Sequence, residues 1–151
     1  MNSAKKVERI LLDEITAQGH PNVLGTHRTT IEITTENFLT INGNCIIGIM
    51  SSKSVNGYSP KLKESIQNGS KIEIEMIAGP FREIISGFGH KDLTLSNDIS
   101  MVFRLSEFIS DRTALIGCSK SSIELDRNFI KYLKNPSNKL QINFYQLVKI
   151  E

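Results

Sequence analysis

The feature that most constrains this chain is a Gly-His pair that occurs twice. Gly19-His20-Pro21-Asn22 and Gly89-His90-Lys91-Asp92 stand 70 residues apart in a chain of 151 residues. Self-similarity at a fixed offset dictates architecture before any single element does. With the offset kept, Thr30-Ile31-Glu32-Ile33 falls opposite Ser100-Met101-Val102-Phe103, and Phe38-Leu39-Thr40 opposite Phe108-Ile109-Ser110. One deletion later Ile46-Ile47-Gly48 meets Leu115-Ile116-Gly117, and after two more Lys53 meets Lys120. Upstream, Leu11 to Gln18 lies opposite Phe81 to Phe88. Few of these matches are identities. The order of apolar, turn and polar classes carries the reading, which is a single domain over 1–151 with an internal repeat, 9–80 and 81–150.

Each half then follows one plan. A first strand is predicted over Arg9 to Thr16 and again over Phe81 to Ser86, each followed by the Gly-His loop. In Thr29 to Thr35 the residues Thr30, Glu32 and Thr34 alternate with Ile31 and Ile33, a half-buried strand pattern. Its partner is Ile99 to Leu105. Asn42-Gly43-Asn44 marks a turn before an apolar strand, Cys45 to Met50, matched by Thr113 to Cys118. A helix follows. Ser59 suits its N-cap, Pro60 its first turn, Leu62, Ser65 and Ile66 share one face, and Asn68-Gly69 stops it. The second helix is predicted to start at Ser121 or Ser122, to bury Ile123, Phe129, Ile130 and Leu133, and to end at Asn135-Pro136. Alternating strands close both halves, Lys71 to Met76 and Lys139 to Phe144; Met1 to Val7 is expected to fray.

Two β-β-β-α-β units are too strand-rich to cover themselves separately. The expected fold is therefore mainly β (α+β). The duplicated units pack about a pseudo-twofold axis as a β-sandwich or closed barrel with two helices.

Charge narrows the function classes. Lys+Arg number 18 against 16 Asp+Glu, and neither half is a basic or acidic tail. The electrostatic footprint of a dedicated nucleic-acid binder is missing. No apolar run is long enough to cross a bilayer, and no signal-peptide core follows the polar start, so a cytoplasmic protein without membrane association is expected. Cys45 and Cys118 lie in apolar stretches and read as reduced, buried thiols.

All three histidines sit in or beside the repeated loops. His20 with Asn22 and His90 with Asp92 could face one another across a cleft between the halves, with His27 as a third imidazole. Three imidazoles and a carboxylate suit a divalent ion, although His-x6-His is no recognised metal spacing. The bland alternative has each Gly-His opening a turn, its imidazole bonded to nearby backbone. Lys53 and Lys120 precede the helices within serine-flanked loops, which fits an anion cradle at a helix N-terminus or, equally, a solvated loop with a cap. Asp111-Arg112 interrupts an apolar stretch and reads as an ion pair, structural or catalytic.

The strings from Gly19 to His27 and from Gly89 to Leu95 resemble an archaeal family known as domain of unknown function 371. Asn44 to Gly48 and Phe108 to Thr113 are similar to it too. The resemblance spans about Leu11 to Phe144. It implies a β-rich, sandwich-like fold in a cytoplasmic archaeal protein and brings no established activity. The chain departs from the family pattern at Asn44, where an acid is usual, and at Asn97, where a histidine is usual. A metal held there in relatives would be held less well here.

The functional expectation is a binding domain or enzyme for a small anionic ligand in the inter-repeat cleft. His20, Asn22, His27, His90 and Asp92 are its polar contacts, and Lys53, Lys120 and Arg112, beside Asp111, supply charge. A divalent metal cofactor and the oligomeric state stay open. The rival is an RNA-binding or assembly-associated module without catalysis, stacking bases on Tyr58, Tyr132 and Phe88; a third is a structural interaction protein using a strand edge.

Overall fold

A computed structural model describes residues 6–150. The order is β1 (Lys6–Gln18), β2 (Thr30–Thr34), β3 (Ile46–Gly48), α1 (Pro60–Gln67), β4 (Lys71–Ala78), then β5 (Phe81–Phe88), β6 (Ser100–Arg104), β7 (Thr113–Leu115), α2 (Arg127–Tyr132) and β8 (Lys139–Ile150). A single 3-10 turn precedes each helix, at Val55–Gly57 and Ser122–Glu124. The fold is mainly β, and the strands form two sheets with the orders β1-β8-β4-β5 and β3-β2-β6-β7. The first is antiparallel throughout; in the second β2 and β6 are antiparallel and the short outer strands parallel.

The sheets stack as a sandwich, and no closed barrel forms. Single bridges, Gln18 to Ile49 and Phe88 to Ile116, tie the sheets at two corners. Between the sheets lie Ile15, Ile31, Ile33, Ile72, Ile74, Met76, Phe103, Ile142 and Phe144, all fully buried. Tyr58 packs 5.2 Å from Phe144, and Phe103 lies 6.1 Å from the same ring. Alternation explains the inner face, since Ile72, Ile74 and Met76 point inward while Lys71 and Glu73 do not.

Pairing runs between the halves. The last strand of each half joins the first strand of the other, and β4 meets β8 so that Glu75 stands opposite Asn143. In the second sheet Glu32 stands opposite Val102. Contacts recur at matched positions. Gln18 N–H donates to Ile49 and Phe88 N–H to Ile116, both at 2.8 Å; Ser52 N–H donates to Thr16 and Ser119 N–H to Ser86, again both at 2.8 Å.

Several expectations change. β1 begins by Lys6, with Lys6 and Val7 paired to Ile150 and Lys149, so fraying does not reach them; Met1 to Lys5 lie outside the described residues. β2 is buried on both faces rather than half-buried, because loops cover Thr30 and Thr34. Helix α1 matches its prediction, with Ser59 Oγ accepting from Leu62 N–H. Helix α2 does not. Ser121 caps the 3-10 turn, Ile123 is exposed, and α2 itself starts at Arg127 with Asp126 as its cap. The β3 alignment also shifts: Glu32 pairs with Ile46 as Val102 pairs with Thr113, so Gly48 matches Leu115 rather than Gly117. The offset falls from 70 at Glu32 and Val102 to 67 at Ile46 and Thr113, so the three extra residues of the first half lie between β2 and β3.

Candidate functional site

The Gly-His corners do not meet. Gln18 pairs with Lys139 at one end of β8, whereas Phe88 pairs with Lys71, beside Ile72, which pairs with Gln146 near the other end. β1 and β5 are also opposite edges of that sheet. At about 3.3 Å per residue and about 4.8 Å per strand, the corners lie roughly 30 Å apart. The cleft expected between His20, Asn22, His90 and Asp92 is therefore not formed. Among the described residues no three His, Cys, Asp or Glu side chains converge, so His20, His27 and His90 do not form one metal centre.

Each corner instead docks on the helix of the other half. A Cβ at Gly19 would run into the Leu133 carbonyl, and one at Gly89 into the Ile66 carbonyl. His20 Nδ1 accepts from Asn22 N–H at 3.0 Å, and His90 Nδ1 from Asp92 N–H at 3.0 Å. His27 works differently. Its Nδ1 accepts from Thr29 N–H and Thr30 N–H, each at 3.1 Å, leading the chain into β2. The matched Asn97 Oδ1 accepts from Ile99 and Ser100 N–H at 2.8 and 2.9 Å. An imidazole nitrogen and an amide oxygen thus do the same local work. The expected result is that His27→Asn leaves stability within about 0.5 kcal/mol while His27→Ala lowers it by about 1 kcal/mol, read from urea unfolding.

The lysine loops hold no vacant anion cradle. Lys53 Nζ lies 2.8 Å from Asp13 Oδ1, and Asp13 Oδ2 accepts from Ser59 N–H, the cap residue of α1, at 2.8 Å. Lys120 Nζ lies 2.9 Å from Glu83 Oε1, and Glu83 Oε2 accepts from Asp126 N–H, the cap residue of α2, at 2.7 Å. The protein's own carboxylates occupy both helix starts. A bulge between Leu11 and Asp13 lets neighbouring Leu12 and Asp13 both turn inward.

Charged groups gather elsewhere, on the outer face of the second sheet, where β2 and β6 join. Arg104, opposite Thr30, donates from Nε to Thr113 Oγ1 at 2.8 Å and from Nη2 to Ser110 Oγ at 3.2 Å. Its guanidinium sits 4.9 Å from the centre of the exposed Phe108 ring. Arg112 Nη1 approaches Glu32 Oε2 at 3.7 Å, and Cys45 Sγ donates to Glu32 Oε1 at 3.4 Å. Burial, then the like charge of Arg112, pulls Arg104 below the usual arginine range. His27 touches Thr30 Oγ1 at 3.0 Å on the same face. Asp111 is exposed, its carboxylate 3.3 Å from Asn97 Nδ2.

Of the sequence candidates, His27 and Arg112 come together here, with Asp111 next to Arg112 in the loop. Glu32, Arg104 and Phe108 were not singled out as site residues. Alternation against the core residues Met101 and Phe103 does mark Arg104 as facing outward, but only strand register puts it beside Thr30. The thiols stay protonated: burial and then the Glu32 charge push Cys45 up to about 11, and burial pushes Cys118 up to about 12. Tyr58 is buried, its hydroxyl on Met101 Sδ at 3.2 Å, so it stacks no base. No helix among the described residues is long and apolar enough to cross a membrane.

These features define a two-sheet α+β domain whose partly matched charges collect on one sheet face. The chain matches the family described as Domain of unknown function (DUF371) over residues 15–147 and belongs to it, so the resemblance carried by the Gly-His strings holds. It is also 44% identical over 120 residues to Uncharacterized protein MJ0206 of Methanocaldococcus jannaschii, which covers 80% of this chain and 89% of that one.

Proposed function

We propose that this protein binds a small anionic ligand, carrying a carboxylate or phosphate, on the Arg104–Arg112 face. The supporting observation is a pair of neighbouring guanidinium groups beside one half-buried carboxylate, Glu32, which among the described residues only Arg112 approaches within ion-pair distance, at 3.7 Å. Arg104 is oriented by Thr113, Ser110 and Phe108, so little side-chain entropy remains to be lost on binding. Both groups keep N–H donors in the planar arrangement that suits an oxyanion. The site differs from the expected cleft, since only His27 and Arg112, with the adjacent Asp111, carry over to it. We also propose that the chain descends from two copies of one unit. The matched bonds of Gln18 and Phe88, of His27 and Asn97, and of Lys53 and Lys120 support that reading. The setting proposed is the cytoplasm.

Titration calorimetry with inorganic phosphate and a set of small carboxylates tests the site. Arg112→Gln is expected to weaken binding about tenfold, near 1.4 kcal/mol, with an unchanged thermal midpoint. Lys53→Met and Lys120→Met are expected to leave affinity unchanged. Loss of binding through the lysines rather than Arg112 would refute the assignment.

A further inference from the structure

A cavity of about 330 Å³ lies beside α2 and is lined by Phe81, Asn128, Lys131, Tyr132, Asn135 and Asn138. We infer that this groove is a binding site for a single purine base carrying a phosphate, either as a free nucleotide or as an unpaired residue of an RNA strand.

The helix builds one wall by spacing alone. Asn128, Lys131 and Tyr132 share one face of α2 at three- and four-residue steps, Asn135 follows just past the C-cap Leu133, and Phe129, Ile130 and Leu133 supply the buried face. Tyr132 meets Phe81 edge to face at 5.8 Å, giving an aromatic corner. The ring cannot drift from it, because the Gly79 backbone lies against the ring where a Cβ would collide.

The polar groups around that corner are available. Asn135 Oδ1 accepts from Ser137 N–H and Asn138 Nδ2 donates to the Tyr132 carbonyl, which leaves the Asn135 amino group and the Asn138 amide oxygen for a ligand. Among the described residues no partner takes up the Asn128 amide, the Lys131 ammonium or the Tyr132 hydroxyl. Donors and acceptors side by side match the edge of a purine, which presents both and which asparagine reads with two bonds. Aromatic side chains supply stacking surface, and Lys131 a charge for phosphate. The volume is near the lower end for ligand sites and suits one nucleotide.

The matched groove beside α1 sharpens the assignment. It is smaller, about 220 Å³, and carries Glu64 where α2 has Lys131, and Ser65 where α2 has Tyr132. Ser65 is already bonded to Gln146 at 2.9 Å. That groove has no aromatic ring among its lining residues, and its lysine, Lys61, stands one turn from Glu64, so it offers a base no stacking surface.

The test follows backbone amide resonances of the whole protein during titration with adenosine monophosphate, ribose phosphate, maltose and a short oligoadenylate. The expected result is saturable shifts along α2 with adenosine monophosphate and none there with ribose phosphate or maltose. The double variant Asn128→Asp, Asn135→Asp is expected to weaken binding at least about tenfold with an unchanged thermal midpoint. Competition by the oligoadenylate assigns the base to an RNA strand; adenosine monophosphate binding without such competition assigns a free nucleotide. The inference is overturned if adenosine monophosphate leaves α2 unshifted, if ribose phosphate or maltose binds there equally well, or if the variant binds as the parent does. Shifts confined to Phe108 and Arg112 also overturn it, while leaving the anion site intact.

Discussion

Gly89→Ala is expected to lower the unfolding free energy by about 3 kcal/mol, and Gly19→Ala to act in the same direction. A Cβ on Gly89 meets the carbonyl oxygen, carbonyl carbon and Cα of Ile66, all backbone atoms. No flexible side chain can swing aside, so the end of α1 must move off the corner. That end is held by Asn68 N–H on Glu64 and Ile66, and by Gly89 N–H on Ser70 at 2.9 Å, and it carries fully buried Leu62 and Ile66. Gly69→Ala is the control. Gly69 has φ of 79° but nothing within 4 Å of an added Cβ, so its replacement meets only left-handed strain, about 1 kcal/mol. Urea unfolding of the two variants separates close approach from backbone conformation. Equal losses at Gly69 and Gly89 would mean that the corner does not depend on contact with α1.

That result bears on what the repeated Gly-His pair is for. In sequence it draws attention as a paired site, because histidine is the side chain most often used at metals and in acid–base work. In three dimensions the glycine lets a helix carbonyl approach, and the imidazole accepts from the residue two positions on. Both are fold-building roles, and a motif required for folding recurs as faithfully as one required for chemistry.

Much of the architecture was legible because it is local. Ser59, Pro60 and Asn68-Gly69 bracket α1, and the alternation in Lys71 to Met76 places β4. The start of α2 is not legible in the sequence because two serines at positions 121 and 122 offer a cap five and four residues ahead of Asp126. The 3-10 turn they begin is ended by Leu125, whose backbone is extended, and Asp126 then caps the true helix. What local pattern cannot carry is register across the halves. Whether Gln18 and Phe88 fall at one end of the sheet or at opposite ends depends on β1 pairing β8 and β4 pairing β5. Those pairings separate His20 from His90 and bring Arg104 to Thr30.

Removing the carboxylates at the helix starts is the second large effect. Asp13→Ala and Glu83→Ala are each expected to cost about 2–3 kcal/mol, whereas Lys53→Met and Lys120→Met cost less than about 1 kcal/mol. The asymmetry follows from which group holds more. Asp13 binds Lys53, Ser59 N–H and Glu14 N–H; Glu83 binds Lys120 and Asp126 N–H. Loss of the carboxylate strands an ammonium and a helix-start N–H together. Loss of the lysine leaves the carboxylate with its backbone donors, and the lysine side chains are about a third exposed in any case, at 33% and 37%. In the double variant Asp13→Ala, Lys53→Met no charge is stranded, so stability is expected to recover part of what Asp13→Ala loses. Guanidinium would screen these pairs, so urea is the denaturant of choice. If lysine removal proved the more damaging change, the carboxylates would not be the internal anions of these helices, and the two lysine loops would return as candidates for an external one.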